Sequence, residues 1–476
     1  MKQSCSTSEE FVSYFEVFRA LETLKSASAG PDNIPVWLLR LGSPFLAEPL
    51  AFLYNTSVNE GYVPVQWKMA NITPIPKVPS PTVPSDYRPI CITPIVSKIL
   101  ERFIVTKSLY PAISSSGMTC LLGNQFAFRP TGSTTAAMVM FLSKVTNMLQ
   151  TEPYVHVVAL DFSKAFDTVR HSELCRKLAS VPVKDSIYNW ITSYLGERCH
   201  RTKVSGELSK FLTINSSVVQ GSAIGPVAYI INAADLSPCT KGNDMLKYAD
   251  DSYLLVPASN SNSIETELQH LSTWAKANNL KLNSAKTQEL IVYPQGRKNI
   301  VIPPENPSIR RVDELLMLGI TIQRDLKMKS HIDNLVSGAS SDLFALKLLR
   351  SHGLSDTRVG QVCRSTLVSK LLYASPAWRG FCNEEDLSRL SAVVRKAVRW
   401  GVYSSACLSL NDEFDRADEK LFSSLLNNPC HVLHQLLPPT KNTGYNLRAR
   451  SHGRVLPTKT SLTAKNFIIR LLYSDI

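Results

Sequence analysis

Three short runs carry side chains suited to one chemistry. A β-branched run, VVALD, ends abruptly in Asp161, and a second run, LKYADDSYLLV, sets Asp250 beside Asp251 between two apolar arms. Between them in sequence lies VVQGSAIGPVAYI, with Gln220-Gly221 after a strand-like stretch and Gly225-Pro226 before a helical one. Adjacent carboxylates repel each other, and a plain hairpin turn favours Asn-Gly or Asp-Gly, whose glycine relieves the strain of positive φ. Two acids without that glycine add cost unless a cation neutralises them. Taken singly, Asp161 and the acid pair are served equally well by ordinary turn-forming roles. Taken together, strand–Asp, Gln-Gly loop and helix, then hairpin–Asp-Asp match the needs of phosphoryl transfer by two divalent ions, which sit about 4 Å apart between carboxylates of neighbouring strands. Hard carboxylate and carbonyl oxygens suit Mg²⁺. The glycines allow close backbone approach to a ligand, and a Gln amide can bind a base or sugar edge.

The elements that must position these groups follow from the apolar spacing. Residues 1–63 read as helical, with Phe11, Tyr14, Phe15, Phe18 and Leu21 at helical intervals, a Gly30-Pro31-Asp32 turn, and a helix from about Val36 to Asn59. The proline-rich stretch that follows excludes a long helix and predicts two edge strands, Ile72–Ile75 and Tyr87–Ile92. IVSKILERFI returns to helical spacing, and from Tyr154 strands alternate with helices. In the acid hairpin the predicted arms are Met245–Ala249 and Tyr253–Val256, with Asp250-Asp251-Ser252 at the tip. Beyond residue 325 the pattern is amphipathic helix. From Lys441 it is basic, with seven Lys/Arg (Lys441, Arg448, Arg450, Arg454, Lys459, Lys465, Arg470) against the single acid Asp475. These changes divide the chain into 1–63, 64–325, 326–440 and 441–476.

Bulk properties narrow the class. Of 476 residues, 52 are Lys or Arg and 39 Asp or Glu, giving a formal charge of +13 and a pI near 9.2. That excess favours a polyanionic partner, most often nucleic acid, although charge alone fits an ordinary basic enzyme equally well. The ten cysteines are spread singly, without a C-x2-C pair, which argues against a zinc ribbon or knuckle and for reduced thiols inside a cell. No signal peptide and no apolar run of the ~18 residues needed for a membrane span is read. A soluble intracellular protein is expected.

The motifs in their order resemble the reverse transcriptases of non-LTR (LINE-like) retrotransposons. LDFSKAFDTVRH is similar to the family's motif A, QGSAIGPVAYIINAADL to motif B, YADD to the Y-x-D-D box of motif C, LKLNSAKTQELIV to motif D and LMLGITI to the primer-grip hairpin of motif E. Upstream, SAGPDNIP, WKMANITPIPK, SDYRPICITPIVSKILERFI and NQFAFRPTGSTTAAM resemble the finger motifs, so the likeness runs from about residue 25 to 325. It implies an α+β right-hand polymerase: a palm of antiparallel strands packed on helices, fingers within 64–325, a thumb-like helical region over 326–440 and a basic C-terminal tail. It also implies an RNA-directed DNA polymerase that extends a DNA or RNA primer with dNTPs on an RNA template, using two Mg²⁺ ions or Mn²⁺ in their place.

Residue by residue, the resemblance makes Asp161, Asp250 and Asp251 the metal-binding catalytic carboxylates and the Phe162 carbonyl an added ligand. Phe166, five residues after Asp161, becomes an aromatic gate against a ribose 2′-hydroxyl. Gln220 and Gly221 would meet the incoming nucleotide, Arg88 and Lys77 would grip its triphosphate, and Lys286 would neutralise or protonate the leaving pyrophosphate. For Phe166 the competing expectation is plain core; for Arg88, Lys77 and Lys286 it is solvated surface charge. Tyr87 and Asp167 are expected to be structural. The basic tail and the helices after 325 would track a template–primer backbone, in a nuclear or cytoplasmic ribonucleoprotein. No endonuclease is read before residue 25 or after residue 440, so the chain is expected to be the polymerase portion of a longer protein or a truncated copy. The competing functions are a group II intron maturase-like or RNA-dependent RNA polymerase, and a non-catalytic nucleic-acid-binding protein derived from an element.

Overall fold

The strands that bear on the site are β1 (Met69–Pro76), β2 (Tyr87–Ile92), β3 (Val155–Leu160), β4 (Arg198–Val204), β5 (Leu212–Ile214), β6 (Asp244–Tyr248), β7 (Asp251–Pro257), β8 (Gln288–Val292), β9 (Arg310–Val312), β10 (Glu314–Met317) and β11 (Ile320–Gln323). The helices are α1 (Tyr14–Glu22), α2 (Ser43–Asn59), α3 (Ile95–Ile104), α4 (Thr134–Thr151), α5 (Ile224–Asn232), α6 (Lys329–Ser351), α7 (Glu384–Arg399), α8 (Leu410–Asn427) and α9 (Phe467–Leu472). The computed structural model describes residues 10–294, 300–404, 406–441 and 452–474. The chain forms two compact units, each discontinuous in sequence. One holds the residues up to Arg129 with Phe162–Leu236 and Ser272–Lys281; the other holds Pro130–Asp161, Ser237–Leu271 and the chain from Leu282 onward.

In the first unit, β2, β1, β4 and β5 lie side by side. The two expected edge strands pair with each other in antiparallel register, but β1 is an edge strand over only part of its length. Met69–Ile72 pair in parallel with β4, whereas Pro74 and Pro76 lie beyond that ladder. Prolines lack the N–H that a second neighbour needs, so they fall where the strand has one partner only. Among the N-terminal helices, α1 buries Val17 and Leu21, while Tyr14 and Phe15 of the predicted apolar face are exposed. The single helix expected from Val36 breaks at Gly42, with Ser43–Asn59 continuing beyond it.

In the second unit the sheet runs β9–β8–β3–β7–β6, antiparallel except for the β8–β9 pair. Its centre explains the near-continuous apolar runs. Val155, Val157, Val158, Leu254, Leu255, Val256, Leu290 and Val292 are all fully buried. Strands covered on both faces need no polar alternation, and one cover is α4, which packs on β3 and β6. The fold is α+β with mainly antiparallel sheets. The helical part holds α6 against α7 and α8 against α9. The described part of the basic C-terminal segment is docked rather than free. Phe467, Ile468, Leu471 and Leu472 of α9 are buried, Asn466 donates to Thr146 Oγ1 at 2.7 Å, and Arg470 pairs with the buried Asp418. Arg448 and Arg450 lie outside the described residues. Among the described residues no helix is long and apolar enough to cross a membrane.

Candidate active site

The β3–β7 register builds one end of the second unit's sheet. Leu160 pairs with Ser252, so one further step sets Asp161 opposite Asp251. Asp251 also pairs with Tyr248 of β6, which makes it the first residue of β7. The tip of the hairpin is therefore Ala249-Asp250, one residue earlier than the predicted Asp250-Asp251-Ser252. Ala249 has φ +58, a left-handed conformation that a non-glycine residue adopts at a cost. That tight turn brings both acids to the sheet end.

The electrostatics bear out the crowding. Partial desolvation at the sheet end pushes the carboxyl of the otherwise exposed Asp251 up to about 6, and repulsion from Asp250 and Asp161 adds to it. Burial also raises Asp250, opposed by its own backbone hydrogen bond and aided by Asp161. No Lys or Arg ion pair compensates these acids among the described residues. Among the described residues no group of three or more His, Cys, Asp or Glu side chains is arranged to hold a metal ion. Carboxylate oxygens are hard donors of the type that Mg²⁺ or Mn²⁺ takes. Asp161 is further tied through its carbonyl, which accepts from Asn283 N–H at 2.8 Å. The same Asn283 carbonyl accepts from Lys286 N–H (3.1 Å) and Thr287 N–H (2.9 Å), so the exposed Lys286 stands on a turn pinned to Asp161.

The first unit assembles a different set. The loop after Phe166 is laced to the Gln-Gly loop: Val218 N–H donates to Phe166 O at 2.7 Å, and Ser217 N–H donates to Val169 O at 2.9 Å. The half-buried Phe166 ring stacks on Tyr229 (4.3 Å, 24°) and meets Phe128 edge-on (6.5 Å). Such contacts fix its plane. Gln220 O accepts from Cys91 N–H at 2.8 Å, and its side-chain Nε2 donates to Asp167 Oδ1 at 2.7 Å. Gly221 has φ +113, and a Cβ there would stand 2.5 Å from Cys91 O, so glycine is required twice over. Phe162 is buried with its ring edge-on to Trp274. Arg88 and Lys77 are exposed on the β1–β2 hairpin, and Lys77 Nζ donates to Ser85 O at 3.0 Å. Lys77, Lys164, Asp167 and His200 line a cavity of about 410 Å³ in this unit.

Two residues here were not singled out from sequence as functional. Glu101 of α3 is fully buried and accepts from Ala223 N–H at 2.8 Å, capping α5 from another helix. Its signal was an acid on the buried face of IVSKILERFI, four residues after Ser97, whose hydroxyl it also accepts (3.1 Å). Asp167, expected to be structural, holds the Gln220 amide.

Residues 75–322, slightly more than half of the chain, match the family model of reverse transcriptase (RNA-dependent DNA polymerase). The RNA-directed DNA polymerase from mobile element jockey of Drosophila melanogaster is 27% identical over 78% of this chain and 41% of that protein. The Pol polyprotein from type-1 retrotransposable element R2 of Popillia japonica is 26% identical over 83% of this chain and 55% of its own length. The chain thus spans about half the length of these relatives. Among solved structures, apo telomerase from Candida tropicalis aligns at 13% identity with a TM-score of 0.39, over 75% of this chain and 68% of that one.

Proposed function

Because the chain belongs to the reverse transcriptase family, of the non-LTR retrotransposon kind, we propose that it is an RNA-directed DNA polymerase extending a primer with dNTPs on an RNA template. The observation that carries this is the uncompensated carboxylate set at the β3–β7 sheet end, with Asp251 pushed up to about 6. Asp161, Asp250 and Asp251, with the Phe162 carbonyl, would hold two divalent cations. Bound there, these supply charge neutralisation and a more acidic primer 3′-hydroxyl.

The chain's own residues then bind and orient. Arg88 and Lys77 grip the triphosphate, for which a guanidinium offers paired donors. Gln220 contacts the nucleotide on a loop whose backbone Gly221 and Cys91 hold in place. Phe166, wedged between Tyr229 and Phe128, excludes a 2′-hydroxyl, which favours dNTPs over rNTPs and speaks against RNA synthesis. Lys286 neutralises or protonates the departing pyrophosphate. The primer oxygen forms its bond to the α-phosphorus as the bond to pyrophosphate breaks, and positioning supplies most of the gain. The setting would be a nuclear or cytoplasmic ribonucleoprotein.

The test is primer extension on a homopolymer RNA template with Mg²⁺ or Mn²⁺, offering dNTP and rNTP in parallel. The expected result is dNTP incorporation, with Phe166→Ala admitting rNTPs at least about tenfold better. A wild type that binds template–primer but incorporates nothing with either metal removes the enzyme reading and leaves the nucleic-acid-binding one.

A further inference from the structure

The Gln220 backbone is fixed on both sides, by Cys91 N–H on its carbonyl and by the Gly221 approach to Cys91 O. Its side chain still has three torsions, and an amide can present either of two chemically different ends. Asp167 decides between them. Its Oδ1 accepts from Gln220 Nε2 at 2.7 Å, and a carboxylate can only accept, so the donor end of the amide is committed to Asp167. Asp167 is itself well placed to hold. It follows Phe166 directly, its N–H donates to Lys164 O at 2.9 Å, and the chain around it is laced to the Gln-Gly loop at Phe166 and Val169. Burial raises its carboxyl, while the Gln220 hydrogen bond and the charges of Lys77 and Lys164 draw it back toward the ionised form.

We infer that Asp167 is a positioning residue for Gln220, clamping the amide so that its carbonyl oxygen is the end offered to the incoming nucleotide. Asp167 thereby sets nucleotide affinity without touching the reacting atoms. The inference rests on the polymerase reading above and adds a residue to it. Lys77 and Lys164 share the cavity with Asp167, and their charges oppose the rise that burial gives its carboxyl.

The experiment is steady-state single-dNTP incorporation on a homopolymer RNA template with Asp167→Leu, Asp167→Asn, Gln220→Leu and the Asp167→Leu, Gln220→Leu double variant, together with thermal unfolding of all four. Loss of one charge-assisted hydrogen bond predicts that Asp167→Leu raises the KM for dNTP about tenfold with kcat held within about twofold. Asp167→Asn, whose Oδ1 still accepts, should stay within about threefold of wild type. In the Gln220→Leu background Asp167→Leu should add nothing further, the mark of two residues acting as one unit. An Asp167→Leu variant that loses kcat at unchanged KM, or losses that multiply in the double variant, overturns the clamp. The unfolding shifts need no nucleotide: additive shifts overturn the pairing whether or not the chain polymerises. A wild type that incorporates nothing instead strikes the polymerase reading.

Discussion

One sheet treats its acids in two opposite ways. Glu289 lies within β8 with its side chain almost wholly buried, opposite Val158 of β3. His156 Nδ1 stands 2.7 Å from one of its oxygens, and Arg311 Nε donates to the other at 2.8 Å. Burial alone would raise this carboxyl, yet the hydrogen bonds from His156 and Arg311, and their charges, hold it below the usual range. At the end of the same sheet, Asp251 meets Asp250 and Asp161 and is pushed up to about 6. The difference separates an acid that the fold completes from acids that it leaves incomplete. A paired buried carboxylate is architecture; the sheet-end cluster, under the proposed function, keeps its charges for cations.

The comparison can be broken at either end. The largest effect falls on activity. The Asp250→Asn, Asp251→Asn double variant should lose incorporation by about a thousandfold or more, roughly 4 kcal/mol of transition-state stabilisation, while template–primer binding in a gel shift is retained. Equal incorporation by variant and wild type would reject the site.

Next comes Glu289→Ala, which leaves the buried His156 without its carboxylate partner and Arg311 with only the Pro303 and Pro304 carbonyls. It should cost about 3 kcal/mol of unfolding free energy in denaturant titrations at pH 7. The folded pKa of Glu289 is depressed, so its contribution is present above its unfolded value, near 4.3, and fades as pH falls through its folded value. The gap between wild type and variant should therefore shrink in acid.

Smallest, and opposite in sign, is Asp251→Asn in chelator at pH 7. Asp251 has a raised folded pKa, so between about pH 4 and pH 6 the native state holds the proton more tightly than the unfolded chain. Stability therefore falls as pH rises through that window. Removing the charge should stabilise the fold by about 1 kcal/mol, after allowance for solvent screening. The gain should be absent below pH 4. A destabilised Asp251→Asn at pH 7 would place Asp251 with Glu289 instead.

Much of this contrast can be read from the sequence, and the limits are instructive. Asp161 is legible because a buried run such as VHVVAL must stop where a charge begins; in YVHVVALD the stop is Asp161 itself. The α+β class and the β1–β2 hairpin are legible for similar reasons. The turn at Ala249-Asp250 is not, because local preference argues against alanine at positive φ and only the two-strand register forces it. The His156–Glu289–Arg311 cluster spans 133 residues between its first two members. Its sequence traces are His156 in the otherwise apolar β3, Glu289 beside Gln288 at the start of β8, and Arg311 in β9, with nothing local to link them. Asp167 reads as structural from sequence, since nothing local shows that Gln220, 53 residues on, ends beside it. The exposed Tyr14 and Phe15 show the same limit for helices, where tertiary packing chooses which part of an apolar face is covered.

The claim that the sheet-end acids are reserved for cations is tested most directly by thermal unfolding of nucleic-acid-free protein across a Mg²⁺ titration, in wild type and in the Asp250→Asn, Asp251→Asn variant. A ligand that binds only the folded state stabilises it by mass action, about 2.7 kcal/mol at a hundred times its Kd. The account predicts that Mg²⁺ raises the wild-type Tm and cancels the variant's advantage, while the variant stays flat. A wild type indifferent to Mg²⁺ and Mn²⁺, or the same rise in both proteins, would contradict it.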